Sequence, residues 1–154
     1  MALIGLISDT HGLVRPDVVE ALSGVSRIFH AGDVGKPEVL DALSMIAPVT
    51  AVRGNVDGGV WTDGLPSILT SVVKGHAIHM LHDLGEMMDN PVRERFSVVI
   101  SGHTHKPLIE RRRGVLFVNP GSAGPRRFSL PISIGFLRLE QNEAPEAWLH
   151  TIEV

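Results

Sequence analysis

The sequence predicts an α/β fold, and the N-terminal third carries the clearest evidence. Three short apolar segments, residues 2–7, 27–30 and 49–52, alternate with two helical segments at 16–22 and 37–46. Each apolar segment is followed by a polar loop that contains glycine. Short strands that alternate with helices are typical of parallel βαβ units. We therefore predict a parallel βαβαβ unit over the first third of the chain.

The elements of this unit follow from their residue patterns. Residues 2–7 are almost all apolar, and such a run is too short for a buried helix but suits a strand covered on both faces. The first helix has Pro16 in its first turn, where proline is tolerated because the N–H there has no helical partner. The second helix places Leu40, Leu43 and Ile46 on one face, which gives it an apolar stripe.

The rest of the chain is predicted to consist mainly of strands. Two hairpins are expected, one turning at Lys74-Gly75 and one near Arg113-Gly114, because both pairs separate short apolar segments. In order, the predicted elements are a loop at 57–64, strands at 67–73 and 76–81, a partly helical stretch at 85–96, a strand at 97–100, strands at 108–112 and 115–118, a loop at 119–131, and strands at 132–139 and 147–152.

Composition restricts the classes of function. The 154 residues are 44% hydrophobic and 20% charged, as in an ordinary globular protein, and we predict a single domain over residues 1–154. A net charge of −3 argues against general nucleic-acid binding. Cysteine is absent, so any metal must have nitrogen and oxygen ligands. No apolar run approaches the ~20 residues that span a bilayer and no signal peptide is recognisable, so we expect no membrane association and a cytoplasmic location.

Polar clusters follow five of the predicted strands. They are Asp9-Thr10-His11, Gly32-Asp33, Gly54-Asn55, His82, and Gly102-His103-Thr104-His105. Ligands in open α/β sheets bind beyond the carboxyl ends of the strands, and carboxylate with imidazole suits a divalent transition metal. Taken alone, Asp9 and His11 fit a surface turn equally well, and a lone His82 is more often structural. His30 lies two residues before Gly32. It is a candidate to support a metal ligand rather than to bind metal itself.

The ordered set of clusters resembles the motifs of the calcineurin-like metallophosphoesterase superfamily. The match runs from about residue 3 to residue 139. The short chain, Val52-Arg53-Gly54-Asn55 and the later Asn119-Pro120-Gly121-Ser122 are similar to its compact prokaryotic phosphodiesterase branch. The resemblance implies a four-layer α/β/β/α sandwich of two mixed sheets with flanking helices.

The resemblance also implies a centre of two divalent metals, which carries the catalysis. One metal would be bound by Asp9, His11 and His105, the other by Asn55, His82 and His103, and Asp33 would bridge the two. Mn is the first expectation, with Ni, Fe, Co and Zn as alternatives. A hydroxide that bridges the metals would attack phosphorus in line and hydrolyse a phosphodiester. Because the histidines must be neutral to bind, we expect metal and activity to be lost below a pH of about 6.

One position departs from the pattern of the superfamily. Many members carry a histidine directly after the metal-binding asparagine, where it can protonate the leaving oxygen, but this chain has Val56 there. Asp57 follows, and it is either a substitute acid or a cap for its loop. Without a general acid a poor alkoxide leaving group departs slowly, so we expect activated or aryl diesters to be cleaved more readily than simple alkyl monoesters.

The natural substrate is expected to be a small phosphoester. Arg53, Asn55 and Arg126 are the candidate substrate-binding residues, although Arg53 also fits a surface ion pair. A phosphomonoesterase or nucleotidase on the same metals is the main alternative. A non-catalytic scaffold is the other, since a retromer subunit uses this fold in that way, but such proteins have lost metal ligands and here every position is filled. Exposed strands could support a homodimer.

Overall fold

The computed structural model describes residues 1–154 and contains two five-stranded mixed sheets. The first sheet has the order β10-β9-β1-β2-β3. Its strands are β1 (Ala2–Ile7), β2 (Arg27–His30), β3 (Val49–Ala51), β9 (Ile132–Leu139) and β10 (Glu146–Ile152). Strands β1, β2 and β3 are parallel, whereas β9 runs antiparallel to both β1 and β10. The predicted βαβαβ unit therefore forms one half of this sheet.

The second sheet has the order β4-β5-β6-β8-β7. Its strands are β4 (Ile68–Val73), β5 (His76–Leu81), β6 (Val98–Ile100), β7 (Leu108–Arg112) and β8 (Val115–Asn119). Strands β5, β6 and β8 are parallel, and β4 and β7 close the two edges as hairpins. All ten strands begin and end within one residue of the predicted positions. The predicted α/β sandwich of two mixed sheets is confirmed.

The largest core cluster lies between the two sheets and is filled from both sides. Ile4, Leu6 and Phe29 of the first sheet and Met80 and Ile100 of the second belong to this cluster, and all five are fully buried. Removal of this apolar surface from water, at roughly 25 cal/mol per Å², is the main force that holds the sheets together.

The outer layers of the two sheets differ. Helices α1 (Pro16–Ala21) and α2 (Pro37–Ser44) cover the first sheet and are slightly shorter than the predicted 16–22 and 37–46. The second sheet has no covering α-helix. Its outer face is covered by an irregular segment with one 3₁₀ turn, Leu84–Glu86, which ends where Met87 adopts an extended backbone. No helix in the structure is long and apolar enough to span a membrane.

The parallel strands determine where the polar clusters lie. The loops after β1, β2 and β3 all lie at the carboxyl ends of these parallel strands. The loops after β5 and β6 lie beside them: the N–H of Gly102 donates to the carbonyl of His82, and the N–H of His103 donates to the carboxylate of Asp9. The five clusters therefore meet at one end of the sandwich.

Candidate metal centre

Two carboxylates and three imidazoles converge at this end of the sandwich. Asp9 Oδ1 lies 3.2 Å from Nε2 of His105 and 3.8 Å from Nε2 of both His11 and His82. Asp33 Oδ2 lies 3.1 Å from Nε2 of His82 and 3.7 Å from Nε2 of His11. The ligand atoms form two groups, Asp9-His11-His105 and Asp9-Asp33-His82, within each of which all atoms lie within 4.8 Å of one another.

Each carboxylate is held by one oxygen and presents the other. Asp9 Oδ2 accepts hydrogen bonds from the Ser8 hydroxyl at 2.6 Å and from the N–H of His103 at 3.1 Å. Asp33 Oδ1 accepts the N–H of Val56 at 3.1 Å. The remaining oxygens, Asp9 Oδ1 and Asp33 Oδ2, face the imidazoles. This is the arrangement expected of ligands whose orientation is fixed from behind.

Several buried atoms in this cluster have no hydrogen-bond partner. They are Asp9 Oδ1, His11 Nε2, His82 Nε2 and His105 Nδ1. Unpartnered buried polar atoms are rare in proteins because they lose their hydration without compensation. Asp9 Oδ1 belongs to both ligand groups, one with His11 and one with His82, so a divalent cation in each group would bind these atoms. The residues therefore fit a metal centre in both charge and donor chemistry.

The carboxylates and imidazoles of the cluster shift one another's pKa values. Burial alone would raise the pKa of Asp33, but the His82 imidazole 3.1 Å away, the hydrogen bond from the N–H of Val56 and the nearby His11 imidazole lower this pKa to about 2. Burial alone would lower the pKa of His82, but Asp33 and Asp9 outweigh burial and raise it. Because a histidine must lose its proton to bind metal, protons and metal compete for His82 at low pH.

The other two predicted ligands, Asn55 and His103, lie beside the tight cluster. Both line one cavity together with His82. The His103 side chain is 42% exposed, and its Nε2 lies 3.8 Å from Asp83 Oδ2. Its ring meets the His82 ring edge-on at 5.3 Å. The structure thus brings Asn55, His82 and His103 to one cavity. His103 lies outside both tight ligand groups, and the roles of Asn55 and His103 as ligands stay predictions.

The backbone at the candidate ligands is left-handed. Such φ values are uncommon outside glycine and cost of order 1 kcal/mol each, and they concentrate at functional sites. Five of the seven predicted ligands have them: Asp9 at 56°, His11 at 45°, Asp33 at 54°, His103 at 73° and His105 at 63°. Asp and His adopt this conformation more often than most residues, but only in a minority of positions, so the sequence does not by itself reveal it.

Glycine is required at two motif positions because side-chain atoms of another loop lie too close for a Cβ. A Cβ at Gly54 would collide with Asp33 Oδ1, and a Cβ at Gly102 would collide with the Ser8 hydroxyl and lie 2.6 Å from Asp9 Oδ2. Each glycine therefore lets one loop pack directly on a carboxylate that belongs to another.

His30 links the loops after β1 and β2. Its Nδ1 accepts the N–H of Gly32 at 3.1 Å, so in the neutral ring Nε2 carries the proton and donates to the Thr10 hydroxyl at 3.0 Å. That hydroxyl donates in turn to the carbonyl of Val34 at 2.8 Å. Burial lowers the pKa of His30 to about 4, so the ring stays neutral at physiological pH. His30 supports the loops and does not reach the ligand cluster.

Asp57 acts as a cap for two loops, those after β2 and β3. Its carboxylate accepts the N–H of Val34 at 3.1 Å, of Gly35 at 2.9 Å and of Gly54 at 2.9 Å. An oxygen pair engaged in this way is an acceptor, which favours the capping interpretation over the general acid. The Val56 side chain is 54% exposed and offers no proton.

The Asn-Pro-Gly-Ser segment supports the same loops. Asn119 Nδ2 donates to the carbonyl of Gly102 at 3.0 Å, and Asn119 Oδ1 accepts the N–H of Gly121 at 2.9 Å. The Ser122 hydroxyl donates to the carbonyl of Asp9 at 3.0 Å. These contacts position backbone and give the segment a structural role.

The candidate substrate-binding residues lie in different places. Arg53 lines the cavity of about 390 Å³ that also contains Asn55 and His82. Arg126 lines a separate cavity against Ile132 and the C-terminal residues, so the structure does not bring it to the metal centre. Its neighbour Arg127 is near enough to His105 to affect it: burial lowers the pKa of His105, and the charge of Arg127 lowers it further against the opposing effect of Asp9.

A model of the calcineurin-like phosphoesterase superfamily domain matches residues 2–142. The chain belongs to this superfamily. A probable metallophosphoesterase of Methanocaldococcus jannaschii is 35% identical to it, over 98% of this chain and 82% of the relative. A phosphodiesterase of the same organism is 27% identical, over 93% of this chain and 96% of the relative. Membership of the calcineurin-like superfamily indicates a hydrolase of phosphoesters that uses divalent metal ions.

A solved structure of the same fold extends the comparison. Vps29 from Entamoeba histolytica, in complex with Zn²⁺, has a TM-score of 0.79 and 24% identity to this calcineurin-like chain, over 97% of the chain and 92% of Vps29. At that identity the likeness establishes the fold alone.

Proposed function

We propose that this calcineurin-like domain, residues 1–154, hydrolyses phosphodiesters with two divalent metal ions. The observation that carries the proposal is Asp9 Oδ1, a fully buried oxygen with no hydrogen-bond partner and three imidazoles within 3.8 Å. The proposed ligands of the first metal are Asp9, His11, His105 and Asp33, and those of the second are Asn55, His82, His103 and Asp33.

The chemistry of such a centre needs few further groups from the protein. When bound, two divalent ions supply an activated water and offset the charge of the phosphoryl oxygens. Asp9 and Asp33 hold the positive charge at the strand ends, and Ser8 and the N–H groups of His103 and Val56 keep both carboxylates oriented. Arg53, in the adjoining cavity, offers a cation to the phosphate.

Two observations support diesters over monoesters. The 27% identical relative is a phosphodiesterase. In addition, neither Val56 nor Asp57 offers a proton to the leaving oxygen. A diester loses its first alcohol from a phosphate group that carries less negative charge than that of a monoester. A phosphomonoesterase or nucleotidase activity on the same metals is the alternative, and substrate comparison separates the two.

The experiment is a panel of phosphomonoesters and phosphodiesters measured with Mn, Ni, Co, Zn and Fe. We expect diester hydrolysis that requires metal, with Mn the most effective. Monoester turnover above diester turnover would establish the alternative. Fewer than one bound metal per chain and no hydrolysis with any metal would favour a non-catalytic scaffold of the same fold.

Three further expectations from the sequence remain proposals. We place the enzyme in the cytoplasm, we expect a small phosphoester as its partner, and we expect that exposed edge strands such as β4 can support a homodimer. Sedimentation of the purified protein tests the last of these.

A further inference from the structure

The cavity beside the metal centre is lined mainly by residues other than hydrophobic ones. Only two of its ten lining residues, Ile68 and Leu81, are hydrophobic. Most ligand cavities are lined mainly by apolar side chains with a few polar groups. At about 390 Å³ the cavity has room for more than a phosphate group. It also reaches the metal centre, because the buried and unpartnered His82 lines its wall.

A fixed turn brings a free carboxylate to this cavity. Glu86 ends the 3₁₀ turn Leu84–Glu86, and its N–H donates to the carbonyl of Asp83 at 3.0 Å while Asp83 Oδ1 accepts the N–H of Gly85 at 3.0 Å. Leu84 and Met87 pack against a buried cluster on the outer face of the second sheet. The turn is thus held on both sides. Glu86 is exposed and lines the cavity, and its carboxylate has no ion pair or hydrogen bond within the chain.

The charges in the cavity are mixed. Asp83 lies beside Glu86, and Arg53 lines the same cavity. The phosphate belongs with the metals and Arg53, since these are the cations. The ester's alcohol then lies toward Asp83 and Glu86. An apolar or aryl alcohol there would displace water from two carboxylates and return no hydrogen bond, which is costly.

We propose that the enzyme selects phosphodiesters whose alcohol carries hydroxyl or ammonium hydrogen-bond donors, as in a polyol or an amino alcohol, and that Glu86 accepts these donors. This inference rests on the proposed phosphodiesterase function and adds its substrate class. Aryl diesters then react because their leaving group is good, but they bind weakly. A hydrogen bond to a charged group changes kcat/KM by roughly tenfold to a hundredfold, and here the change lies mainly in KM.

The test compares three methyl phosphodiesters that differ in one alcohol: 2,3-dihydroxypropyl, 2-aminoethyl and propyl. Full-length protein is loaded with Mn²⁺, hydrolysis is followed by ³¹P NMR, and bis(4-nitrophenyl) phosphate serves as a general diester substrate. We expect the dihydroxypropyl and aminoethyl esters to exceed the propyl ester at least tenfold in kcat/KM. The ratio of the first two separates the polyol from the amino alcohol as the preferred source of donors.

Variants of Glu86 make the test specific. Glu86→Ala should remove the preference over propyl, and Glu86→Gln should retain part of the preference for dihydroxypropyl but lose that for aminoethyl. Glu94→Gln is the matched control, because Glu94 is exposed in the same segment and lines no cavity, and it should behave as wild type. Thermal melting verifies that each variant is folded.

Two results would overturn the inference. Equal kcat/KM for the three esters, or an equal loss for all three in Glu86→Ala, means that Glu86 does not distinguish between the alcohols. If bis(4-nitrophenyl) phosphate is still hydrolysed in that case, the proposed function is unaffected. If wild-type protein hydrolyses no diester with any metal, the proposed function fails and the substrate class fails with it.

Discussion

Replacing Asp57 by Asn separates its two interpretations, loop cap and general acid. In the structure Oδ2 accepts N–H groups from Val34 and Gly54, and Oδ1 accepts that of Gly35. Asparagine has one acceptor oxygen, so at best it keeps the first two bonds, and its NH₂ group then faces the N–H of Gly35.

The expected loss of stability follows from these bonds. A hydrogen bond to a charged group contributes roughly 1.5–3 kcal/mol, and an opposed donor adds the cost of an unsatisfied N–H. Asp57→Asn should therefore lower the free energy of unfolding by about 2–4 kcal/mol. In a chain of this length that corresponds to a melting temperature lower by about 5–15 °C.

Urea denaturation followed by circular dichroism measures the change in stability. Asp63→Asn, in the same loop, is the matched control, since the Asp63 side chain is exposed and makes no hydrogen bond. We expect its unfolding free energy to stay within about 0.5 kcal/mol of wild type.

A kinetic measurement excludes the other interpretation. A capping residue affects hydrolysis of 4-nitrophenyl and alkyl diesters by a similar factor. A general acid matters only for the poor alkyl leaving group. If Asp57→Asn keeps wild-type stability but selectively slows alkyl esters, the capping interpretation is wrong and Asp57 is the acid.

Four further predictions concern the centre and its supports. Asp9→Asn should lose one metal per chain, measured by elemental analysis, and turnover, with the circular dichroism spectrum unchanged; retention of two metals and activity would contradict the two-metal proposal. Since protons compete for His82, whose pKa is raised, bound metal should fall as pH drops below about 6, and full occupancy at pH 5 would contradict this. The pKa of His30 is lowered to about 4, so between pH 6.5 and 4 the unfolded state binds a proton that the folded state does not. Stability should therefore fall by about 3 kcal/mol as pH decreases through this window, and His30→Gln should lack this component in urea titrations at several pH values. Gly102→Ala should destabilise by more than about 2 kcal/mol through its collision with Ser8, whereas Gly24→Ala, with open space for a Cβ and no left-handed φ, should cost less, as melting temperatures will show.

The strands were predictable because each is a short apolar run that is bounded by turn or loop residues. Lys74-Gly75 and Arg113-Gly114 turn where they were expected, with φ values of 53° and 78° in the first pair and 50° and 82° in the second. The layer over the second sheet was harder, because residues 84–96 have no periodic apolar pattern and are held by contacts of Leu84, Met87 and Phe96 with the sheet. Such contacts are long-range and leave no local signal.

The sequence alone determined the fold class, the strand positions and which chemical groups stand at the strand ends, because apolar periodicity and the order of motifs are local properties of the chain. Only the tertiary structure decided what those groups do. It directed one oxygen each of Asp9 and Asp33 toward the imidazoles, engaged Asp57 with three backbone N–H groups, left His103 half exposed beside Asp83, and separated Arg126 from the centre. These roles depend on distances between residues far apart in the chain, which packing of the two sheets fixes.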